Sequence, residues 1–177
     1  MFHLLTTYTT ESVTPGHPDK VCDQMSDAIL DACLAQDPKS RVAVETFGSH
    51  GTLMIGGEVT TKAVVDYAAI AKKVYEDIGY TEPLDILTRV VTQSPDIAMG
   101  VDTDGAGDQG IMYGYATNET EEMLPKGVVL AHALARKLEQ LRTSGTLPYL
   151  RPDGKTQVTM KNGVVITGLT STQHAED

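Results

Sequence analysis

Residues 11 to 22 read Glu-Ser-Val-Thr-Pro-Gly-His-Pro-Asp-Lys-Val-Cys. Within them, Gly16-His17-Pro18-Asp19-Lys20 gathers a flexible backbone point, an imidazole, a carboxylate and an ammonium. Pro18 suits the first turn of a helix, because its missing N–H would be unpaired there anyway. A helix start presents free amides and partial positive charge, so anions collect at it. His17 and Lys20 add positive charge, while Asp19 can hold a divalent cation against the same anion. That set suits a metal-bound polyphosphate. The same five residues also read as a proline-initiated helix with ordinary capping acids, so the rest of the chain must decide.

Four further motifs follow: Gly56-Gly-Glu-Val-Thr-Thr61, Gln93-Ser-Pro-Asp-Ile97, Gly105-Ala-Gly-Asp-Gln-Gly110 and Arg151-Pro-Asp-Gly-Lys155. Taken alone, the last is a good β-turn sequence. Glu58 follows two glycines that allow close backbone approach. Glu45 sits in a strand-like run among apolar neighbours, where an unpartnered acid is costly. No Gly-x-x-x-x-Gly-Lys-[Ser/Thr] loop or kinase signature is present, which argues against a generic phosphotransferase.

The elements that must position these residues are legible from periodicity. Val21, Met25, Ala28, Ile29 and Ala32 predict an amphipathic helix from Pro18 to about Gln36, ended by Asp37-Pro38. Asp19, Asp23, Asp27 and Asp31 form an acidic stripe along it; Asp27 and Asp31 read as a solvated face. Strands are predicted over 41–47 and 52–59 across a turn at 48–51, then a helix from about Val64 to Asp77 stopping at Gly79. A strand over 85–91 leads into a long aperiodic stretch, 94–110, of the kind that forms functional lids. A strand over 111–116, a helix over 128–142 and a hairpin over 156–160 and 164–170 about Asn162-Gly163 complete the chain. The order suggests an internal repeat. A first unit covers 1–110, with a lid loop at 93–110, and a shorter second unit covers 111–177. The expected fold class is α+β, repeated strand-helix-hairpin-helix units with helices packed on mainly antiparallel sheets.

Composition agrees with a globular domain. The 177 residues are 41% hydrophobic and 21% charged, with a net charge of −10. Such a balance argues against a nucleic-acid groove. No apolar run reaches membrane-span length and no signal-peptide pattern opens the chain, so a cytoplasmic location is the expectation. Cys22 and Cys33 would lie about 16 Å apart along one helix, beyond disulfide reach. Two free thiols fit a reducing compartment. Neither belongs to a zinc-type cluster. His50 and His132 read as turn and helix-face residues, and the scattered methionines as packing.

In order and spacing, these motifs resemble the S-adenosylmethionine synthetase (methionine adenosyltransferase) family. So do Asp23-Gln-Met-Ser-Asp-Ala28, Ala35-Gln-Asp-Pro38, Gly114-Tyr-Ala-Thr-Asn-Glu119 and Ser171-Thr-Gln-His174. The likeness runs from about Thr10 to His174 and is to the family's N-terminal half; its C-terminal half has no counterpart here. It implies three pseudo-symmetric units, of which this chain holds the first and most of the second. It implies formation of S-adenosylmethionine from ATP and L-methionine, then hydrolysis of the triphosphate, with Mg²⁺ and K⁺. By the same resemblance His17 and Lys155 are catalytic, and His17, Asp108, Asp153 and Lys155 bind ATP. Glu58, Gln93 and Asp108 bind methionine, Asp19 binds Mg²⁺ and Glu45 binds K⁺. Lys20 is a secondary candidate. Self-association as a dimer or dimer of dimers is implied, with no nucleic-acid or membrane partner. The alternative is a non-catalytic paralogue or fragment that associates with a full-length subunit. The chain departs from the family by shortening between Tyr80 and Gln93 and in the lid between Val101 and Gly105.

Overall fold

Helix α1 (Pro18–Gln36) begins at the proline and ends before Asp37-Pro38, as the pattern predicts. Val21, Met25, Ile29 and Cys33 lie four apart and form one buried stripe, while Asp23, Asp27 and Asp31 are exposed. The Asp37 carboxylate accepts the backbone N–H groups of Lys39 (3.1 Å) and Lys62 (3.0 Å). The bond from Lys62, then that from Lys39, holds the Asp37 carboxyl below the usual carboxylate range. The computed structural model describes residues 7–94 and 110–174.

Strands β1 (Thr7–Val13), β2 (Arg41–Ser49), β3 (Thr52–Thr60), β4 (Asp85–Thr92), β5 (Leu150–Lys161) and β6 (Val164–His174) form two three-stranded sheets. Their orders are β1-β5-β6 and β2-β3-β4. Among the described residues only the β3–β4 pair is parallel. With helices α2 (Tyr67–Ile78) and α3 (Lys126–Thr143), the described residues make an α+β fold. No helix among them is long and apolar enough to cross a membrane.

Contacts divide the chain into one unit of residues 1–20 and 114–177 and another of 21–113. The first 20 residues join the C-terminal part because β1 pairs along its length with β5. In the 21–113 unit, Met25, Ile29, Leu53 and Ile55 are at most 1% exposed and share one core with Val44, Ala71 and Ile78. Each of these side chains larger than alanine contributes about 1.5–3 kcal/mol by leaving water. Asp66 caps α2 by accepting the Ala69 N–H at 3.0 Å, and left-handed Gly79 ends it. The 1–20 and 114–177 unit has a smaller core of Ala131, Val158 and Met160 under Tyr8, Leu130 and Leu134.

Both hairpins turn on two left-handed residues, His50-Gly51 and Asn162-Gly163. That geometry matches the twist of paired strands. Three expectations are corrected. Residues 111–116 form no strand, and Ile111, Met112 and Tyr113 are 78–92% exposed; β propensity without a ladder partner is insufficient. Arg151 to Lys155 is not a turn but the start of β5, with a register irregularity between Leu150 and Gly154. Glu45 is exposed, so burial imposes no cost on its carboxylate.

Candidate functional site

Register brings the first and last motifs of the sequence together. Val13 pairs with Lys155, and the next residue, Thr14, donates its N–H to Gly154 O at 2.9 Å. The Thr14 hydroxyl, buried at 3% exposure, donates to Pro152 O at 2.7 Å. Gly16 is also buried, and a Cβ placed on it would overlap Pro152. Only glycine permits this approach. The chain then turns, with His17 N–H donating to Thr14 O at 3.1 Å, and enters α1.

His17 performs the local task at the helix entry. Its Nδ1 accepts the Asp19 N–H at 3.3 Å. An accepting Nδ1 leaves the proton of the neutral ring on Nε2, where it is a donor. Asp19 Oδ2 stands 3.8 Å from the same Nδ1, and its side chain is 90% exposed. Helix capping and an anion-facing Nε2–H are therefore compatible in one side chain.

A cavity of about 330 Å³ opens beside this entry, lined by His17, Asp153, Gly154, Lys155 and Ser171 to Gln173. Lys155 Nζ lies 2.6 Å from Glu11 Oε2 on the neighbouring strand. The Glu11 hydrogen bond first, then its charge, with a smaller contribution from Asp19, raises the Lys155 pKa above its ordinary value. A second cavity of about 300 Å³ continues past Lys155 along β5 and β6 to Gln157 and Leu169. Helix α3 covers the reverse face of this sheet. There His132 Nδ1 lies 2.7 Å from the Ser12 hydroxyl, and the buried Thr156 hydroxyl donates to Ala131 O at 2.8 Å.

In the other unit, Glu45 and Glu58 share one face of the β2-β3-β4 sheet. Register stacks the rows Phe47–Met54–Leu87, Glu45–Gly56–Arg89 and Ala43–Glu58–Val91. Arg41 pairs with Thr60 in the next row, and Gln93 joins them just past β4. Gln93 donates its backbone N–H to Val59 O at 3.0 Å, and its Oε1 accepts from Arg41 Nε at 3.0 Å. Gly57 has φ 139°, and a Cβ there would collide with Ala43 O, so the glycine pair draws β3 tightly to β2 beside Glu58.

Thus His17, Asp19, Asp153 and Lys155 gather in one unit, and Glu45, Glu58 and Gln93 lie on one sheet face of the other. Asp108 and most of the predicted lid lie outside the described residues. Lys20 is exposed on the first turn of α1. Glu11 and the Ser171 to Gln173 segment are site residues for which sequence reading assigned no role. Glu11 was detectable only by pairing β1 with β5. Among the described residues, no three His, Cys, Asp or Glu side chains cluster to hold a metal. Asp19 offers one hard carboxylate oxygen donor, which suits Mg²⁺ when phosphate oxygens complete its shell. Glu45 likewise offers one carboxylate to a monovalent cation.

The family model described as S-adenosylmethionine synthetase, N-terminal domain, matches residues 5–97, and the central-domain model matches residues 103–177. S-adenosylmethionine synthase 1 of Rhodospirillum rubrum is 52% identical over 185 residues, covering 95% of this chain and 48% of the relative. The synthase 1 of Rhodopseudomonas palustris is 55% identical over 166 residues, covering 88% and 43%. The S-adenosylmethionine synthase of Clostridium tetani is 48% identical over 197 residues, covering 96% and 50%. The chain spans about half the length of these curated relatives. The first and last of these alignments are longer than the 177-residue chain itself, so those relatives carry positions with no counterpart here. With both motif pairs in register and the two domain models spanning nearly every residue, this chain belongs to the S-adenosylmethionine synthetase family.

Proposed function

We propose that the protein acts as a methionine adenosyltransferase, forming S-adenosylmethionine from ATP and L-methionine and then hydrolysing triphosphate to diphosphate and phosphate. The observation that carries this reading is the gathering of His17, Asp153 and Lys155 around one cavity beside a helix start. In the first step the methionine sulfur attacks C5′ of ATP, and the C5′–O5′ bond breaks with its electron pair on triphosphate. A thioether has no proton to lose, so no general base is required. The chain's contribution is alignment and fixed positive charge at the leaving group. His17 Nε2–H donates to the departing oxygen, and the Lys155 ammonium binds the polyphosphate. Asp153 holds the nucleoside, and by the family resemblance Asp108, which lies outside the described residues, serves both ATP and methionine. Glu58 and Gln93 hold the methionine ammonium and carboxylate end.

Mg²⁺ at Asp19 would supply charge neutralisation of the triphosphate, and Glu45 would hold K⁺. A dimer, or dimer of dimers, is supported by the exposed Phe47, Met54 and Leu87 in one row of a sheet face. The location is cytoplasmic, and neither nucleic acid nor membrane is a partner. Incubating the 177-residue chain with ATP, methionine, Mg²⁺ and K⁺ tests the proposal by mass spectrometry. Product above that of an Asp19→Asn variant supports it. Absence of product from folded chain favours the second reading, a subunit that pairs with a longer one without completing a site. That reading draws on the chain spanning about half the length of its relatives.

A further inference from the structure

Gln93 is held from one side only. Its Oε1 accepts from Arg41 Nε at 3.0 Å and from the Thr60 hydroxyl at 3.4 Å. Arginine has no acceptor, so the amide atom facing it must be the oxygen, and a flipped amide would set donor against donor. The Gln93 NH₂ therefore points away from Arg41. Among the described residues it has no hydrogen-bond partner, and no fully buried side-chain nitrogen or oxygen is left unpaired, so solvent reaches this NH₂. Glu58 stands on the same sheet face, one row away.

We propose that Arg41 is a positioning residue. With Thr60 it locks the Gln93 amide so that its NH₂ is presented as a donor to the carboxylate of an α-amino acid whose ammonium meets Glu58. This rests on the reading of Glu58 and Gln93 as methionine ligands. It goes further in fixing the polarity of the contact: Gln93 can donate to the ligand and cannot accept from it. A donor thus faces the carboxylate and an acceptor faces the ammonium, which is the charge order of a zwitterion. Arg41 acts through the amide, and its loss leaves Gln93 present but free to flip.

The test measures two things on the 177-residue chain. Without ligand, the Gln93 side-chain NH₂ signals are compared by ¹H–¹⁵N NMR in the wild type, Arg41→Met and Arg41→Lys. With ligand, affinities for L-methionine and for L-methioninol, which lacks the carboxylate, are titrated. Arg41→Met should shift or broaden the NH₂ signals and weaken L-methionine about tenfold, leaving L-methioninol nearly unchanged. Arg41→Lys, still a donor, should restore part of both. Should Arg41→Met fail to fold, Gln93→Glu replaces the donor by an acceptor and should lose L-methionine while keeping L-methioninol. Unchanged NH₂ signals and unchanged methionine affinity in Arg41→Met overturn the inference while leaving the proposed function standing. A folded wild type that binds neither ligand overturns the carboxylate assignment together with the methionine reading. The ligand-free signals then decide the positioning role by themselves.

Discussion

Gly16 and Pro152 are packed so closely that a Cβ on the glycine would overlap the proline. This contact joins two motifs that stand more than a hundred residues apart, and the Thr14 bonds to Pro152 O and Gly154 O run alongside it. His17 and Lys155 reach one cavity because their backbones are joined here.

Gly16→Ala should therefore separate the two motifs. Overpacking of this kind costs about 1–3 kcal/mol. The expected result is a lower thermal midpoint together with at least a tenfold loss of polyphosphate affinity, read by calorimetry. Retention of both would mean that the contact does not set the site.

Glu11→Gln tests the internal counter-ion of Lys155. Because the folded pKa of Lys155 is raised, its contribution to stability is complete below the ordinary lysine range. It is lost as pH rises through the raised value. The wild-type advantage over Glu11→Gln in thermal melts should be present near neutral pH and shrink in strongly alkaline buffer. The pair is half-exposed, so the advantage should be small. At neutral pH the variant should bind anions a little tighter, since Glu11 no longer competes for the ammonium. An advantage that grows with pH would contradict the assignment.

Cys33 is fully buried on α1, and burial pushes its thiol pKa up. A thiol that is neither exposed nor ionised reacts slowly. Titration with a thiol reagent should modify Cys22 first, with Cys33 following only under denaturant. Equal rates for both in the native chain would show that the α1 stripe is not packed as described.

Ile29→Ala removes a wholly buried side chain from the centre of that stripe. Such a truncation costs about 2–5 kcal/mol. Urea unfolding should show a lower midpoint at unchanged slope. A loss below about 1 kcal/mol would place Ile29 outside the core.

What the sequence revealed follows the range of each signal. The limits of α1 were readable because Pro18, the four-residue apolar spacing and Asp37-Pro38 are all local. Both hairpins were readable from glycine-containing turns, His50-Gly51 and Asn162-Gly163. A strand ahead of α1 was implied by the repeated element order, but its bounds and its partner were not readable, because Thr7 to Val13 is rich in threonine and β5 lies far along the chain. The unread pairing hid Glu11 and made Arg151 to Lys155 resemble a turn. The 111–116 run carried strand-like residues but no ladder. Among the site residues, chemistry at His17 and Asp19 was suggested by composition and helix entry alone. Asp153, Lys155, Glu58 and Gln93 needed the family resemblance, since lone polar residues carry no local signal of ligand contact. Asp108 lies outside the described residues.

Binding of Mg²⁺-tripolyphosphate to the 177-residue chain, followed by calorimetry, bears most directly on the claim that His17 and Lys155 form one polyphosphate site. Wild type should bind, and His17→Ala and Lys155→Met should each weaken binding at least about tenfold. Lys161→Met, an exposed lysine at the far end of the same strand, should bind as wild type. Equal affinities across all four proteins, or no binding by folded wild type, would contradict the account.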